Sequence, residues 1–204
     1  MIRILYTDIS GAGEELYRKM YEAASPERKQ RSEGLLRQED RLRCVAAEAL
    51  LKAALGTSCF RTGVSEFGKP YVSDHPGFFF NLSHSGRYVV LAYGDTEVGV
   101  DVQQHTDGNW EALARRWLAP DEQAWVRSGE EDARKRFFEI WTAKESYVKF
   151  LGKGLHMDLR SFSVLAPPPG VCYFRHDLGT DYSLSLCSTQ AECTPERINL
   201  QQLG

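Results

Sequence analysis

The spacing of apolar side chains divides the chain into a strand, a group of helices and a group of strands. An alternating segment over residues 2–9 predicts the first strand, and helical spacing follows over residues 14–24. Ser25-Pro26 has the chemistry of an N-cap and first helical position, so it opens a basic second helix. A long helix over residues 39–55 ends at Gly56. Strand-like segments then cover residues 67–71, 77–82, 88–93 and 98–103.

The second half of the chain repeats this order. Helical spacing covers residues 106–118, Ala119-Pro120 restarts a helix, and a long helix over residues 132–151 ends at Gly152. A capping box of Ser128 and Glu131 is predicted to precede this long helix. Three closing strands are predicted, over residues 161–165, 171–176 and 182–188, and the tail over residues 189–204 shows no clear period.

This order predicts an α+β fold, because strands and helices are grouped rather than strictly alternating. It also suggests two similar halves, over residues 1–103 and 104–204. Both long helices carry a Glu and a Lys four residues apart shortly before the terminal glycine, although chance could supply this spacing.

The last long helix contains the most unusual pattern. Its apolar positions recur at helical spacing, at Phe137, Ile140, Trp141, Val148 and Leu151. The same spacing calls for an apolar side chain at position 144, where the chain has Lys144 followed by Glu145. Lys149 lies one turn beyond Glu145. One interpretation is an ion pair on the helix surface, and the other is a buried functional group that requires partners.

The segment Gly99-Val100-Asp101-Val102-Gln103 alternates with period two. Asp101 and Gln103 therefore share one face, about 7 Å apart, and the two valines share the other. An aspartate near a strand end can also be a simple turn former. If Glu145 faces the same space, the three oxygen-bearing side chains suit Mg²⁺, which binds one or two carboxylates together with substrate phosphates.

Basic residues recur near the ends of the predicted elements, and each is by itself consistent with a solvated surface charge. A loop is predicted at residues 83–87, with two hydroxyls, an imidazole and a guanidinium. Together with the oxygen-bearing group, these residues describe a pocket for a polyphosphate, although no P-loop or Rossmann glycine motif occurs. The basic set comprises Arg28, Arg31, Arg43, Lys69, Arg87, Lys144, Lys149 and Lys153.

Composition narrows the alternatives. The chain has 204 residues, of which 42% are hydrophobic, and a formal net charge of −3, so general nucleic-acid binding is not expected. Five cysteines without a CxxC spacing fit the reducing cytoplasm and argue against a zinc site. No apolar run approaches the length of a membrane span, so no membrane association is expected.

Four ordered segments resemble the signatures of the Sfp-type 4′-phosphopantetheinyl transferases. Residues 99–103 resemble G-[IV]-D-[IVL]-E, and residues 141–149 resemble W-[TS]-x-K-E-[SA]-x-x-K. Residues 67–70 are similar to the family's YGKP-like element, and residues 80–85 to its F-N-[IL]-S-H-[ST] element. Residues 25–28 resemble the start of its amino-terminal helix more weakly.

The resemblance implies a pseudo-dimer of two α+β halves, each with a small antiparallel sheet and helices, and an active site in the cleft between them. It implies transfer of 4′-phosphopantetheine from coenzyme A to a serine of an apo acyl or peptidyl carrier protein, with release of 3′,5′-ADP. The expected protein is a cytoplasmic monomer that requires Mg²⁺, with Mn²⁺ as an alternative.

The resemblance also implies individual roles. Asp101, Gln103 and Glu145 would hold the metal ion, Glu145 would be the base, and Lys149 would act on the leaving phosphate. The expected coenzyme A-binding residues are Arg28, Arg31, Arg43, Lys69, Pro70, Ser83, His84, Lys144 and Lys149.

Gln103 departs from the family pattern, which has a glutamate at this position. An amide oxygen can bind a metal ion or hold a water, but it carries no charge, so Mg²⁺ is expected to bind more weakly or to depend more on the substrate phosphates. Two other functions remain: a non-catalytic module that binds coenzyme A or a carrier protein, and a Mg²⁺-dependent phosphohydrolase.

Overall fold

The first sheet has four strands, and its two central strands carry buried apolar residues on both faces. The computed structural model describes residues 1–129, 132–154 and 157–204. The strand order is β4-β5-β1-β9, antiparallel except for the parallel pair β1 and β9. The strands are β1 Ile2–Asp8, β4 Phe79–Ser85, β5 Tyr88–Gly94 and β9 Cys193–Arg197.

Three helices cover the outer face of this sheet. They are α1 Glu14–Ala23, α2 Pro26–Glu33 and α3 Gln38–Leu55. Ser25 caps α2 as predicted, because its hydroxyl accepts a hydrogen bond from the backbone N–H of Arg28. Gly56 ends α3 in the left-handed conformation, with φ of 66°, where a side chain would be strained. The apolar faces of α1 and α3 pack on Leu5, Val89 and Leu91.

The second sheet has three antiparallel strands in the order β6-β8-β7. They are β6 Val98–Gln104, β7 Cys172–His176 and β8 Tyr182–Ser188. Helices α4 Trp110–Trp117, α5 Pro120–Arg127 and α6 Ala133–Leu151 belong to this half, and Gly152 ends α6 with φ of 65°. The apolar side chains of the three helices form their own cluster around Phe137 and Ile140.

The two sheets face each other across a shared core. Even-numbered residues of β1 and β5 meet the valines of β6 and the leucines of β8 in one apolar cluster. Residues from this cluster include Ile4, Val90, Val100, Val102 and Leu184, all almost completely buried. The layers therefore run helices, sheet, sheet, helices, which confirms the predicted α+β class.

Several predicted elements differ from the structure. Residues 83–85 continue β4 rather than forming a loop, so only Gly86 and Arg87 make the turn. The strand predicted over residues 161–165 is wrong, since a short 3₁₀ turn over Leu159–Ser161 ends there. The helix predicted over residues 106–118 is shorter at its start.

The predicted capping box before α6 is not supported at Ser128. This residue is the C-cap of α5, its hydroxyl donates to the Trp125 carbonyl, and Asp132 precedes the first turn of α6. Glu131 lies outside the described residues.

A hairpin of β2 Thr62–Val64 and β3 Pro70–Val72 adds a strand that the pattern did not predict.

The unassigned tail contains β9 and a 3₁₀ turn over Leu200–Leu203. Strand β9 lies beside β1, so the end of the chain extends the sheet formed at its beginning.

The division of the chain into two halves, over residues 1–103 and 104–204, remains a prediction.

The chain order repeats in the structure as it does in the sequence. Up to β5 the chain runs β1, three helices, the β2–β3 hairpin, β4 and β5, with β5 between β1 and β4 in the sheet. From β6 onward it runs β6, three helices, β7 and β8, with β8 between β6 and β7, so the order repeats apart from the hairpin and β9. None of the helices in the described ranges is long and apolar enough to span a bilayer. All five cysteines are free thiols.

Gly99 allows α6 to lie directly on β6. A Cβ atom at this position would be 2.0 Å from the carbonyl oxygen of Ser146 and 2.3 Å from the backbone nitrogen of Phe150. Because both contacts are with helix backbone, no side-chain rotation relieves them. The face of β6 that carries Gly99, Asp101 and Gln103 is therefore the face on which the helix with Glu145 and Lys149 packs.

We predict that Gly99→Ala lowers the free energy of unfolding by about 3 kcal/mol, at the upper end of overpacking effects. Urea unfolding measures this change. Gly11→Ala is the control, since nothing lies within 4 Å of a Cβ atom at that position. Equal stability of the two variants would contradict the close packing of α6 on β6.

Candidate active site

The free edge of β6 is the feature around which the predicted site residues assemble. Strand β6 is the outermost strand of its sheet, so the backbone groups of Val98, Val100, Val102 and Gln104 on that side have no partner strand. Side chains from three other segments bind five of these groups. Buried backbone groups require such partners.

Strand β4 supplies three of these side chains. The Asn81 Oδ1 atom accepts from the Val100 N–H at 2.9 Å, and the Ser83 and Ser85 hydroxyls accept from Val102 and Gln104 at 3.1 and 2.9 Å. The alternate residues of β4 point the other way, where Phe80 and Leu82 pack into the core between the first sheet and helices α1 and α3. The sequence contained this signal as an alternation of polar and apolar residues over 80–85, but the loop prediction obscured it.

Two lysines bind the carbonyl groups of the same edge. Lys69 Nζ donates to the Val98 carbonyl at 3.0 Å, to the Phe150 carbonyl at 3.2 Å and to Glu97 Oε2 at 2.6 Å. Lys149 Nζ donates to the Val100 carbonyl at 3.1 Å. The charge of Lys69 is thus balanced by Glu97, and its ammonium links the β2–β3 hairpin to β6 and to the end of α6.

Asp101 lies at the centre of the group. Its Oδ1 atom accepts from Lys149 Nζ at 2.6 Å and from the Ser83 hydroxyl at 2.9 Å, and the carboxylate is buried. Lys149 Nζ also donates to Ser83 Oγ at 3.1 Å. Asp101, Ser83 and Lys149 therefore form a closed triangle of hydrogen bonds that joins β6, β4 and α6.

Glu145 lies one turn before Lys149 and is half-buried. Burial raises the pKa of its carboxyl group, the negative charge of Asp101 raises it further, and Lys149 acts in the opposite sense. No group in the described part of the chain donates a hydrogen bond to the Glu145 carboxylate. Glu145 is therefore a desolvated carboxyl group near a second carboxylate, an arrangement that a cation would stabilise.

Gln103 is half-buried two residues beyond Asp101 on the same face of β6. It lies opposite Ser183 in the sheet register, and its amide has no partner among the residues described. Within those residues, no three His, Cys, Asp or Glu side chains cluster as a metal site. The available donors are two carboxylates and one amide oxygen, which fits a Mg²⁺ ion completed by substrate phosphates.

His84, on the opposite face of β4 from Ser83, lies near a basic group. Desolvation lowers the pKa of its imidazole, and the positive charges of Arg43, Lys149 and Arg31 lower it further, whereas Asp40 raises it. Arg43 is buried and donates to Asp40 Oδ1 at 2.5 Å and to the Gly86 carbonyl. Arg31 is exposed. Arg31 and Arg43, two of the predicted phosphate-binding residues, are therefore both within electrostatic reach of a third, His84.

Two further predicted residues have other partners. Arg28 Nε donates to the buried carboxylate of Glu48 at 3.3 Å, and that carboxylate also accepts from the N–H and hydroxyl of Ser25. Arg28 therefore fastens the start of α2 to α3. Pro70 is half-buried at the start of β3, where it pairs with Val64.

The prediction that Lys144 binds coenzyme A needs correction. Its ammonium is completely buried and donates to both oxygens of Glu122, at 2.7 and 2.8 Å, and to the Phe162 carbonyl at 2.7 Å. All three donors are occupied inside the protein. Burial lowers the pKa of Lys144, and the Glu122 carboxylate opposes this shift.

The sequence did not identify Glu122 as the partner of Lys144. Glu122 is the third residue of α5, and its Oε2 atom accepts from the Ala119 N–H at 2.8 Å. The residues Ala119-Pro120-Asp121-Glu122 have the pattern of a helix start with a glutamate at the third helical position. This pattern was the signal in the sequence that could have identified Glu122. The pair fixes α6 against α5.

A cavity of about 400 Å³ elsewhere on the surface, lined by Asp8, Leu16, Arg197 and Asn199, contains none of the predicted site residues.

The sequence is similar to that of known proteins over most of its length. Residues 97–200 match the family model of the 4′-phosphopantetheinyl transferase superfamily. A 4′-phosphopantetheinyl transferase of Bacillus subtilis is 30% identical over 200 residues, covering 89% of this chain and 88% of the relative. The 4′-phosphopantetheinyl transferase Sfp of Bacillus subtilis strain 168 is 28% identical over 195 residues, covering 86% of each chain.

Another similar protein comes from a different organism. The 4′-phosphopantetheinyl transferase HetI of Nostoc is 34% identical over 129 residues, covering 57% of this chain and 54% of the relative. The chain belongs to the 4′-phosphopantetheinyl transferase superfamily, and within it to the Sfp-type family. It is a transferase of the phosphopantetheine group.

We predict that Lys144→Met destabilises the protein by about 3–5 kcal/mol, because it leaves the Glu122 charge buried without a partner. Urea unfolding measures the loss. The double variant Lys144→Met/Glu122→Gln should recover part of it, and Lys135→Met, an exposed position on the same helix, is the control. A Lys144→Met protein as stable as Lys135→Met would remove the structural role of the pair.

Proposed function

We propose that the protein transfers 4′-phosphopantetheine from coenzyme A to a serine of an apo acyl or peptidyl carrier protein and releases 3′,5′-ADP. The observation that carries this proposal is the half-buried Glu145 carboxylate, to which none of the described residues donates a hydrogen bond, set beside the linked pair of Asp101 and Lys149. A module that only binds coenzyme A or a carrier protein has no need for the Glu145 carboxylate, the Asp101 carboxylate and the Lys149 ammonium together.

Mg²⁺ is the proposed metal ion, with Mn²⁺ as a possible substitute. Asp101 and Glu145 would hold it, with Gln103 as the third oxygen donor and phosphate oxygens of coenzyme A completing the shell. When bound, the ion would supply positive charge to the diphosphate as negative charge develops on it. The repulsion between Asp101 and Glu145, which raises the pKa of Glu145, supports a cation at this place.

The proposed reaction forms one bond and breaks one. The serine oxygen of the carrier protein bonds to the phosphorus on the pantetheine side of the diphosphate, and the bond from that phosphorus to 3′,5′-ADP breaks. Glu145 takes the serine proton, for which its raised pKa suits it. Lys149 would exchange one of its present acceptors for the leaving phosphate and neutralise it.

The proposed contacts of the 3′-phosphate are Arg31, Arg43 and His84, since both arginines lie within electrostatic reach of His84 and Arg31 is exposed. Arg28 is proposed as a more distant contributor because Glu48 already balances its charge. Lys69 and Pro70 would flank the nucleotide from the β2–β3 hairpin.

We further propose that the fold is a pseudo-dimer, with the active site in the cleft between its halves. The matching connectivity of β1-β5-β4 and β6-β8-β7 supports this interpretation. So does the origin of the site, since Ser83 and His84 come from β4 of the first sheet, whereas Asp101 comes from β6 of the second sheet and Glu145 and Lys149 come from α6. The five free thiols support a reducing compartment, for which the cytoplasm is proposed. The proposed monomer can be tested by light scattering.

Intact-mass measurement of an apo carrier protein tests the function. Incubation with this protein, coenzyme A and Mg²⁺ should add one phosphopantetheine group to the carrier and yield 3′,5′-ADP. Coenzyme A binding without a mass increase would indicate a binding module, and release of phosphate or breakdown of coenzyme A without carrier would indicate a phosphohydrolase. Either result would contradict the proposal.

We predict that Glu145→Gln abolishes transfer but leaves the fold intact. The substitution removes the base and one proposed metal ligand while preserving the size of the side chain. The rate is read by intact mass, and the melting temperature shows whether the protein folds. Turnover near that of the parent protein would exclude both proposed roles of Glu145.

Gln103→Glu tests the position where the chain departs from the family pattern. If Gln103 binds the metal directly, the added charge should tighten Mn²⁺ binding and lower the Mg²⁺ concentration for half-maximal activity. Gln104→Glu is the matched control, because it adds the same charge on the opposite face of β6. An unchanged metal requirement in Gln103→Glu would leave Asp101 and Glu145 as the proposed protein ligands.

A further inference from the structure

The Ser83 hydroxyl has no hydrogen-bonding capacity left for a ligand. A serine hydroxyl offers one donor and two acceptor positions. Ser83 Oγ donates to Asp101 Oδ1 at 2.9 Å, and it accepts from the Val102 N–H and from Lys149 Nζ, both at 3.1 Å. Only 7% of the residue is exposed, so the hydroxyl is enclosed by these three partners.

Each of these three bonds fixes a different part of the proposed site. The bond from the Val102 N–H fixes the hydroxyl to the backbone of β6, next to Asp101. From that position the hydroxyl holds one carboxylate oxygen of Asp101 and also accepts from Lys149. The orientations of the Asp101 carboxylate and of the Lys149 ammonium therefore depend on a side chain of β4, a strand of the other sheet.

We propose that Ser83 is a positioning residue that orients Asp101 and Lys149 and does not bind coenzyme A. This inference rests on the proposed function. The Ser83 bond leaves the Asp101 Oδ2 atom free of hydrogen bonds to described residues, and that oxygen is available to a metal ion. Partners of metal ligands commonly set ligand orientation, and their loss weakens metal binding or activity about ten- to hundredfold.

Strand β4 offers a matched control. Ser85 makes the same kind of contact with β6, because its hydroxyl accepts from the Gln104 N–H at 2.9 Å. It has no bond to Asp101 or Lys149. Ser85→Ala therefore removes one contact between β4 and β6 without touching the acid or the cation, whereas Ser83→Ala removes both kinds of contact.

The test compares Ser83→Ala, Ser83→Thr and Ser85→Ala with the parent protein. Mn²⁺ affinity is measured by electron paramagnetic resonance, with and without saturating coenzyme A. Coenzyme A affinity is measured by calorimetry in EDTA, and kcat and KM are taken from the transfer assay. Should Ser83→Ala not fold, Ser83→Cys retains a similar shape with a thiol that is only a weak donor and acceptor.

The inference predicts that Ser83→Ala weakens Mn²⁺ binding and lowers kcat about ten- to hundredfold. KM for coenzyme A and its affinity in EDTA should stay unchanged, Ser83→Thr should restore most of the loss, and Ser85→Ala should alter only the melting temperature. A weaker coenzyme A affinity in EDTA with unchanged Mn²⁺ affinity would make Ser83 a phosphate ligand and overturn the inference.

Equal behaviour of Ser83→Ala and Ser85→Ala in all measurements would reduce Ser83 to a structural contact and also overturn it. Failure of the proposed function is a separate result. If the parent protein transfers nothing to a carrier protein, that function falls, while the Mn²⁺ comparison still decides whether Ser83 positions Asp101.

Discussion

The unpaired edge of β6 is the constraint on which the site depends. A strand that ends a sheet leaves a row of backbone donors and acceptors, and inside a protein these groups need partners. Here Asn81, Ser83 and Ser85 bind the N–H groups, and Lys69 and Lys149 bind the carbonyls. These side chains come from the other sheet, the β2–β3 hairpin and α6, so satisfying one strand brings the separate parts of the molecule together.

The charges of the site follow from this arrangement. Asp101 is buried because β4 and α6 close over it, and Lys149 and Ser83 stabilise its carboxylate. Glu145 approaches the same face because Gly99 lets α6 pack on the strand backbone, and the Lys144–Glu122 pair fixes that helix against α5. Neighbouring residues of one sequence motif therefore differ in their surroundings, since Lys144 is paired with Glu122 and stabilises the packing of α6, whereas Glu145 accepts no hydrogen bond from the residues that the structure describes.

Much of the fold follows from local patterns. The helix ends at Gly56 and Gly152, the cap at Ser25 and the strand over residues 182–188 depend on nearby residues, and the sequence predicted them correctly. The shared face of Asp101 and Gln103 also follows from strand geometry. The sequence did not reveal β9, because its pairing with β1 joins opposite ends of the chain. Nor did it show which motif residues bind one another: Lys144 donates to Glu122, and the Ser83 hydroxyl donates to Asp101 and accepts from the Val102 N–H.

Amide hydrogen exchange measured by NMR tests the central claim, that side chains close the free edge of β6. The N–H groups of Val100, Val102 and Gln104 should exchange as slowly as those that β6 shares with β8. Replacing Asn81 with Ala should accelerate exchange at Val100 more than at Gln104. Rapid exchange at all three amides in the parent protein would contradict the account, because it would mean that the edge is open and that β4 does not hold the site together.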